Sequence, residues 1–515
     1  MSASPPDRRR VLVIGGGLAG IAAALDCAAA GASVTLVEVR RRLGGAAYSF
    51  ERDGLALDNG QHVFLRCCHA YRALLARLGS EQLTFVQPRL EIPVLSPGQA
   101  PALLRRGWLP APVHLAFSLA RYPHLTPTER IGAARAALAL MRLDPSDPAL
   151  EAETFGDWLA RHGQGERAVA ALWDLIALPT LNLPAAQASL ALAAFVFRTG
   201  LLSGADAGDI GFHRGTLAET IGIPAERALR EAGVAVRLGW RAERIERSGG
   251  GVEVHGRGAR GASAPPAEGD SGEDTSGEGG ESGTAGPLEQ LSAEATVLAV
   301  PHMRAARLLE PLLGEHAGAW RGLGSSPIIN LHVVYDRVVC DVPFAAGVGT
   351  PVQYVFDRSD AAGVPAGCQY LAVSLSGAER EMGISSGELR ERYLPALDAL
   401  FPRARGASVE FFLATREHAA TFRAAPGVGA LRPGPQTPLP GLVLAGAWTA
   451  TGWPATLEGA VLSGHAAADA ALGGLGLGLE PRSGARARAQ AEATAAGRAQ
   501  GAAPAAAVVE RELAR

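Results

Sequence analysis

The sequence predicts an α/β fold in two interleaved parts, one of them a partly helical α+β unit. Three observations predict it. The chain has 515 residues, more than one hydrophobic core usually serves. Near its start and near its end it repeats one grammar: an apolar run, a turn of small residues, then a helical segment. Between these blocks the composition changes to Pro-broken helical patterns and then to strand-like runs.

The first element is the apolar run Val11-Leu12-Val13-Ile14. It turns through Gly15-Gly16-Gly17-Leu18-Ala19-Gly20 into an Ala-rich helical segment, Ile21 to Ala30. A second apolar run, Val34 to Val37, ends on Glu38, and Gly44-Gly45 lies just beyond. Glycines at such a turn let backbone approach a pyrophosphate, whose charge is met by the helix N-terminus. Glu38 follows Gly15 by 23 residues, the spacing at which an acid binds ribose hydroxyls. This is a Rossmann-like dinucleotide site, with Gly15, Gly17, Leu18, Ala19, Gly20 and Glu38 as its expected contacts.

The run from Glu38 through Arg42 to Gly44-Gly45 resembles the extended signature of FAD-binding amine oxidases and phytoene-type desaturases. The resemblance implies FAD, with Arg42, Gly44 and Gly45 along it. Members usually carry Arg after the glycine pair, where this chain has Ala46.

Composition narrows the classes. The chain is 48% hydrophobic but only 5% aromatic, as in a helix-rich α/β enzyme. A net charge of -3 gives no reason to expect nucleic acid. There is no lysine, so all 48 basic side chains are Arg, and Schiff-base or Walker A lysine chemistry is excluded. Five cysteines, without metal-ligand spacing, predict no metal site and a reducing, cytoplasmic setting. The vicinal pair Cys67-Cys68 reads as packing. Met1 to Arg10 lacks the apolar core of a signal peptide. No window reaches the roughly 18 apolar residues of a membrane span.

The expected organisation is a cofactor domain of residues 1–85, 213–324 and 426–475, and a substrate domain of residues 86–212 and 325–425. Ala218 to Ala232 reads as a helix. Val234 to Leu238, Arg244 to Arg247 and Gly251 to His255 read as strands. Residues 257–290 are expected to be a disordered acidic insertion, since Gly261 to Gly286 holds six acids and no base. Ala295 to Pro301 is expected to complete the interrupted hairpin layer. Ile328 to Tyr335 and Tyr370 to Leu375 read as strands, Ser385 to Phe401 as a capped helix, and residues 476–515 as a disordered tail.

The second block, Gly441 to Ala468, predicts a strand, a turn of small residues at Gly446-Ala447 and a helix starting near Thr456. It resembles the C-terminal FAD motif of the same enzymes, implying cofactor contacts at Gly446, Ala447, Trp453, Pro454 and Thr456. Many members carry an acid where this chain has Ala447. In that superfamily the segment matching Leu57 to Phe64 passes near the flavin ring, which implies contacts at Gly60 and Gln61. His62 there is a candidate proton donor, with a turn and a structural histidine as the alternative.

Leu57-Asp-Asn-Gly-Gln-His-Val-Phe64, Arg416-Glu417, Arg432-Pro433 and Gly452-Trp-Pro-Ala-Thr456 narrow the resemblance to the squalene-associated FAD-dependent desaturase group. It covers residues 11 to about 470. It implies reductive dehydroxylation of hydroxysqualene to squalene in hopanoid biosynthesis, with a polyprenyl substrate. Trp448 and Trp453 are candidates for an aromatic wall beside a developing cation, and Leu172 to Leu202 for a polyprenyl tunnel; ordinary packing is the alternative for each. Residues 103–121, apolar and basic with Trp108, read as substrate-domain packing, with peripheral contact with a membrane's inner face as the alternative. A carotenoid or squalene desaturase running oxidatively is the main rival. A flavin amine oxidase is disfavoured because its usual lysine is missing. A second nucleotide motif of comparable quality is missing too, so the electron donor stays open.

Overall fold

The computed structural model describes residues 9–259 and 285–477. Its organising layer is a five-stranded, wholly parallel sheet. The order is Ala235–Leu238, Ser33–Glu38, Arg10–Ile14, Ala295–Leu298 and Leu442–Leu444. Its central strands are mostly apolar, as strands covered by helices on both faces must be. The helices Leu18–Ala29 and Leu457–Gly474 cross where Gly464 lies against the Ala19 carbonyl; a Cβ at Gly464 would sit 2.3 Å from that oxygen. Asp26, accepting from Arg77 and paired with His465 (both 2.5 Å), ties these helices to the helix His69–Leu78.

Two expectations change. Ala295–Leu298 joins the parallel sheet between Arg10–Ile14 and Leu442–Leu444, not the hairpin layer. All four of its residues are buried, as a strand covered on both faces must be. The hairpin layer is completed instead by Ala285–Ser292, paired antiparallel with Gly251–Ala259, which itself pairs with Trp240–Ser248. Residues 257–259 and 285–290 are therefore strand, because a neighbour satisfies their backbone groups even where side chains are polar. The remainder of the acidic insertion, 260–284, and the tail from 478 lie outside the described residues.

A seven-stranded mixed sheet forms the second layer. Its order is Val409–Thr421, Ser326–Tyr335, Gln369–Ser376, Tyr354–Asp357, Phe344–Gly347, Glu91–Leu95 and Ala102–Arg105. The helix Ser386–Leu400 carries the expected cap: Ser385 and Glu388 form a reciprocal capping box. Helices Pro127–Met141, Asp174–Leu181 and Leu190–Phe197 pack beside the sheet around Phe155, Trp173 and Phe197. Wide π turns at Val169–Trp173 and Arg198–Leu202 each carry cavity-lining side chains, Leu172 and Leu201.

Asp209, fully buried, fastens this region. Arg106 Nε donates to its Oδ1 at 2.7 Å, Arg66 Nε to Oδ2 at 3.0 Å, and the Leu90 amide to Oδ1 at 2.7 Å. Burial alone would raise the Asp209 pKa, but Arg106 and Arg66 hold it below the usual carboxylate value. Such a group lends stability that is complete above its unfolded pKa, about 3.9, and lost as pH falls through the lowered folded value. Asp209→Asn should therefore cost about 1–3 kcal/mol at neutral pH and flatten the acid limb below about pH 4. Urea melts from pH 7 to pH 3 test this; an acid limb as steep as that of the unaltered protein would refute it.

Candidate functional site

The glycine turn and the acid after it form one hydrogen-bonded unit. The Gly16 amide donates to Glu38 Oε2 at 2.5 Å, the Arg40 amide to Oε1 at 2.8 Å, and the Gly44 amide to the Gly16 carbonyl at 2.9 Å. Space requires several of these glycines, Gly15 and Gly45 among them. Gly15 has φ +112°, and a Cβ there would lie 2.2 Å from the Ala299 carbonyl. Gly45 has φ +62°, and its Cβ would lie 2.8 Å from Gly17 Cα. Gly17 differs: it N-caps the helix Leu18–Ala29 at φ -75°, and a Cβ would meet only Gly45 Cα, at 3.7 Å. No side chain caps that helix and no acid lies in its first turn. Its leading N–H groups and dipole are left for an anion.

The turn after Leu442–Leu444 is held from behind by Arg432, which sequence reading leaves without a role. Its guanidinium donates to the carbonyls of Ala447 (3.1 Å), Trp448 (3.3 Å) and Thr449 (2.5 Å). Burial lowers its pKa to about 10. Thr456 caps the helix Leu457–Gly474, accepting from the Gly459 amide at 3.1 Å. Glu458 in that helix's first turn points away, accepting from the Ala70 and Tyr71 amides at the start of His69–Leu78. This second N-terminus is already partly satisfied, so it is a weaker anion site than the expected one.

The third segment is fixed through Asn59. Its Nδ2 donates to Glu417 Oε1 at 2.9 Å and to the Ala46 carbonyl at 3.0 Å. Tyr48 donates to the same Glu417 oxygen at 3.1 Å, under the Arg42 guanidinium 3.6 Å from its ring. Burial and Glu417 push the Tyr48 pKa up, so the phenol keeps its proton. Asp58 is structural: it accepts from Ser49, the Leu217 amide and Arg358.

One cavity of about 4050 Å³ is lined by every expected cofactor residue except Gly20, and by His62. At Gly20 a Cβ would lie 1.9 Å from the Gly15 carbonyl, so its bareness serves packing of the helix on the turn. Burial lowers the His62 pKa against an opposing pull from Asp58; the imidazole is neutral at pH 7 and can donate an N–H but no formal charge. Contact with Cys67 and burial push the Cys68 thiol up, leaving it unreactive.

The volume exceeds the roughly 300–1,000 Å³ that holds one compact ligand. Part of its lining is apolar, including Leu175, Ile176, Phe195, Leu201, Phe344 and Phe356. Trp453, among the expected cofactor residues, meets Phe195 of this apolar lining edge-on at 5.1 Å. Trp448 also borders the cavity but is packed against Trp320, with its indole N–H on the Val300 carbonyl at 2.9 Å. Sequence reading also assigns no role to Tyr48 or Asn330. Asn330 is hidden in an apolar strand, where Asn330 and His332 at period two are the available signal.

The arrangement fits an FAD: an uncapped helix N-terminus for the pyrophosphate, Glu38 for ribose, and a buried Gln61 amide nitrogen without a protein partner beside Gly60. Comparison agrees. The family model of flavin containing amine oxidoreductases matches residues 18–472. The chain is 30% identical to a hydroxysqualene dehydroxylase of Rhodopseudomonas palustris, over 90% of this chain and 98% of that one. It is 29% identical to a hydroxysqualene dehydroxylase of Sinorhizobium fredii, with the same coverage. In fold it is similar to wild-type putrescine oxidase bound to putrescine: TM-score 0.64, 19% identity, 90% of this chain and 99% of that one. The chain belongs to the flavin containing amine oxidoreductase family and is an FAD-dependent oxidoreductase.

Proposed function

We propose that this protein converts hydroxysqualene to squalene by reductive dehydroxylation, as a step of hopanoid biosynthesis. The observation that carries the reading is one cavity whose lining combines the expected dinucleotide contacts with apolar side chains, the two sets touching at Trp453 and Phe195. Reduced FAD, when bound there, would supply a hydride. The carbon–oxygen bond breaks, hydride replaces the hydroxyl, and one proton completes the departing water.

The chain's own groups suit the rest. The apolar lining takes the polyprenyl chain out of water and keeps water from a developing allylic cation. The Glu417 carboxyl, fixed by Tyr48 and Asn59 on the cavity wall, offers countercharge to that cation. His62 can hold its N–H toward a leaving hydroxyl.

The test is anaerobic incubation of chemically reduced, FAD-loaded enzyme with hydroxysqualene and detection of squalene by mass spectrometry. Flavin-dependent squalene is the expected result. None from fully loaded enzyme would refute the reading and favour oxidative desaturation of a polyprene, tested with oxidised flavin.

The substrate's hydrophobicity raises the question of delivery. No helix among the described residues is long and apolar enough to cross a membrane. At the cavity's edge, however, Trp108 is 85% exposed and Phe117 52% exposed, with Arg105 and Arg121 nearby in sequence. We read this lip as a peripheral membrane contact. The double variant Trp108→Ser, Phe117→Ser should co-sediment several-fold less with anionic phospholipid vesicles. Equal sedimentation of variant and unaltered protein would remove the contact from this lip.

A further inference from the structure

Asn330 is the least expected residue in its strand. Ser326–Tyr335 is otherwise nearly continuous core, and Asn330 is wholly buried within it. Its Nδ2 donates to the Asn59 carbonyl at 2.9 Å. That bond sets the amide's orientation, since the reverse would put two oxygens together. Oδ1 is then left buried and without a partner in the protein. Gln61 Nε2 is in the same condition. Both residues line the cavity, and Gly60 separates Gln61 from the carbonyl that Asn330 holds; a Cβ on Gly60 would lie 3.2 Å from Asn330 Nδ2.

Native proteins seldom leave buried amide groups unpaired. Here an acceptor and a donor are left open on two residues that line one cavity. A hydrocarbon chain with a single hydroxyl has little use for such a pair. A flavin ring does: it displays N–H groups among carbonyl oxygens. The backing is rigid. Thr415 Oγ1 lies 3.4 Å from the Asn59 and Asn330 carbonyls, and its other neighbour is His332 Nε2 at 3.1 Å. His332 Nδ1 meets the Tyr370 hydroxyl at 2.6 Å. Burial takes the His332 pKa to about 3, so this chain of groups is an uncharged scaffold.

We propose that Asn330 is a flavin-binding residue whose Oδ1 accepts a hydrogen bond from a ring N–H, with Gln61 Nε2 donating to an adjacent ring acceptor. This rests on FAD as cofactor and is independent of the substrate proposed above.

The test uses Asn330→Ala and the isosteric Asn330→Asp. Titration of apoprotein gives FAD affinity, and dye equilibration of holoenzyme gives the midpoint potential. Asn330→Ala should weaken FAD binding at least tenfold, or change the oxidised-to-reduced ratio tenfold, about 30 mV for a two-electron couple. Weaker binding of oxidised FAD places the contact at the N–H that the oxidised ring carries. A shifted potential alone places it at an N–H gained on reduction. Asn330→Asp sets an oxygen against the Asn59 carbonyl, so its carboxyl keeps a proton to donate there; raising the pH should ionise it and lower the midpoint more steeply than in the unaltered protein. If Asn330→Ala does not fold, Asn330→Asp decides alone. Affinity, visible spectrum and midpoint all matching the unaltered protein would overturn the proposal.

Discussion

Gly17→Ala is expected to yield a folded protein that fails to retain FAD. Gly17 already has an ordinary φ of -75°, and the added methyl meets no protein atom closer than 3.7 Å. Nothing in the fold has to move. The methyl would instead occupy the space before the uncapped helix N-terminus, where the pyrophosphate approaches the backbone. Losing one or two charge-assisted hydrogen bonds there costs about 3 kcal/mol, roughly a hundredfold in affinity. Gly15→Ala is the contrast. At φ +112°, with its Cβ 2.2 Å from the Ala299 carbonyl, it forces strand and turn apart. Backbone strain alone costs on the order of 1–3 kcal/mol. Its apoprotein should melt early, whereas that of Gly17→Ala should melt with the unaltered apoprotein. Flavin absorbance after gel filtration and apoprotein melts separate the two. A Gly17→Ala protein that stays yellow with unchanged affinity would move the pyrophosphate elsewhere.

Arg358→Leu should be among the most destabilising single changes. Arg358 Nη2 donates to Asp58 Oδ2 at 2.9 Å and to the Gly215 carbonyl at 2.8 Å, and the guanidinium also reaches the His213 carbonyl. Both partners of the pair are nearly buried, with side chains 12% and 5% exposed. Removing the arginine strands the Asp58 carboxylate in a dry setting and frees two carbonyls. Breaking such a pair costs about 3–5 kcal/mol, far more than the pair is worth against a well-packed apolar alternative. Arg358→Leu with Asp58→Asn should recover part of the loss. Chemical denaturation of the single and double variants measures it. A single-variant loss under about 1 kcal/mol would mean that water reaches Asp58.

Local pattern made the cofactor side legible. A strand, a glycine turn, a helix and an acid are specified within about 30 residues, because each answers a short-range demand: backbone approach, an open helix end, a ribose acceptor. The capping box at Ser385 and Glu388 is equally local. Where sequence reading failed, the deciding partner lay far along the chain. Ala295–Leu298 belongs between Arg10–Ile14 and Leu442–Leu444, and no pattern within it names those neighbours. Residues 257–259 and 285–290 look too polar to order, yet pairing across the interval makes them strands.

The site divides in the same way. Sequence by itself determined that the chain holds a dinucleotide, that two remote blocks share the task, and that lysine chemistry is excluded. Only the tertiary structure decided what surrounds it. Arg432 steadies the second turn, Glu417 and Asn59 meet across 358 residues, Gly20 serves packing, and a lone Asn in an apolar strand faces the cavity. Hydrogen bonds and burial act over a few ångströms, whatever the separation along the chain, so these roles arise only when the sheets bring the segments together.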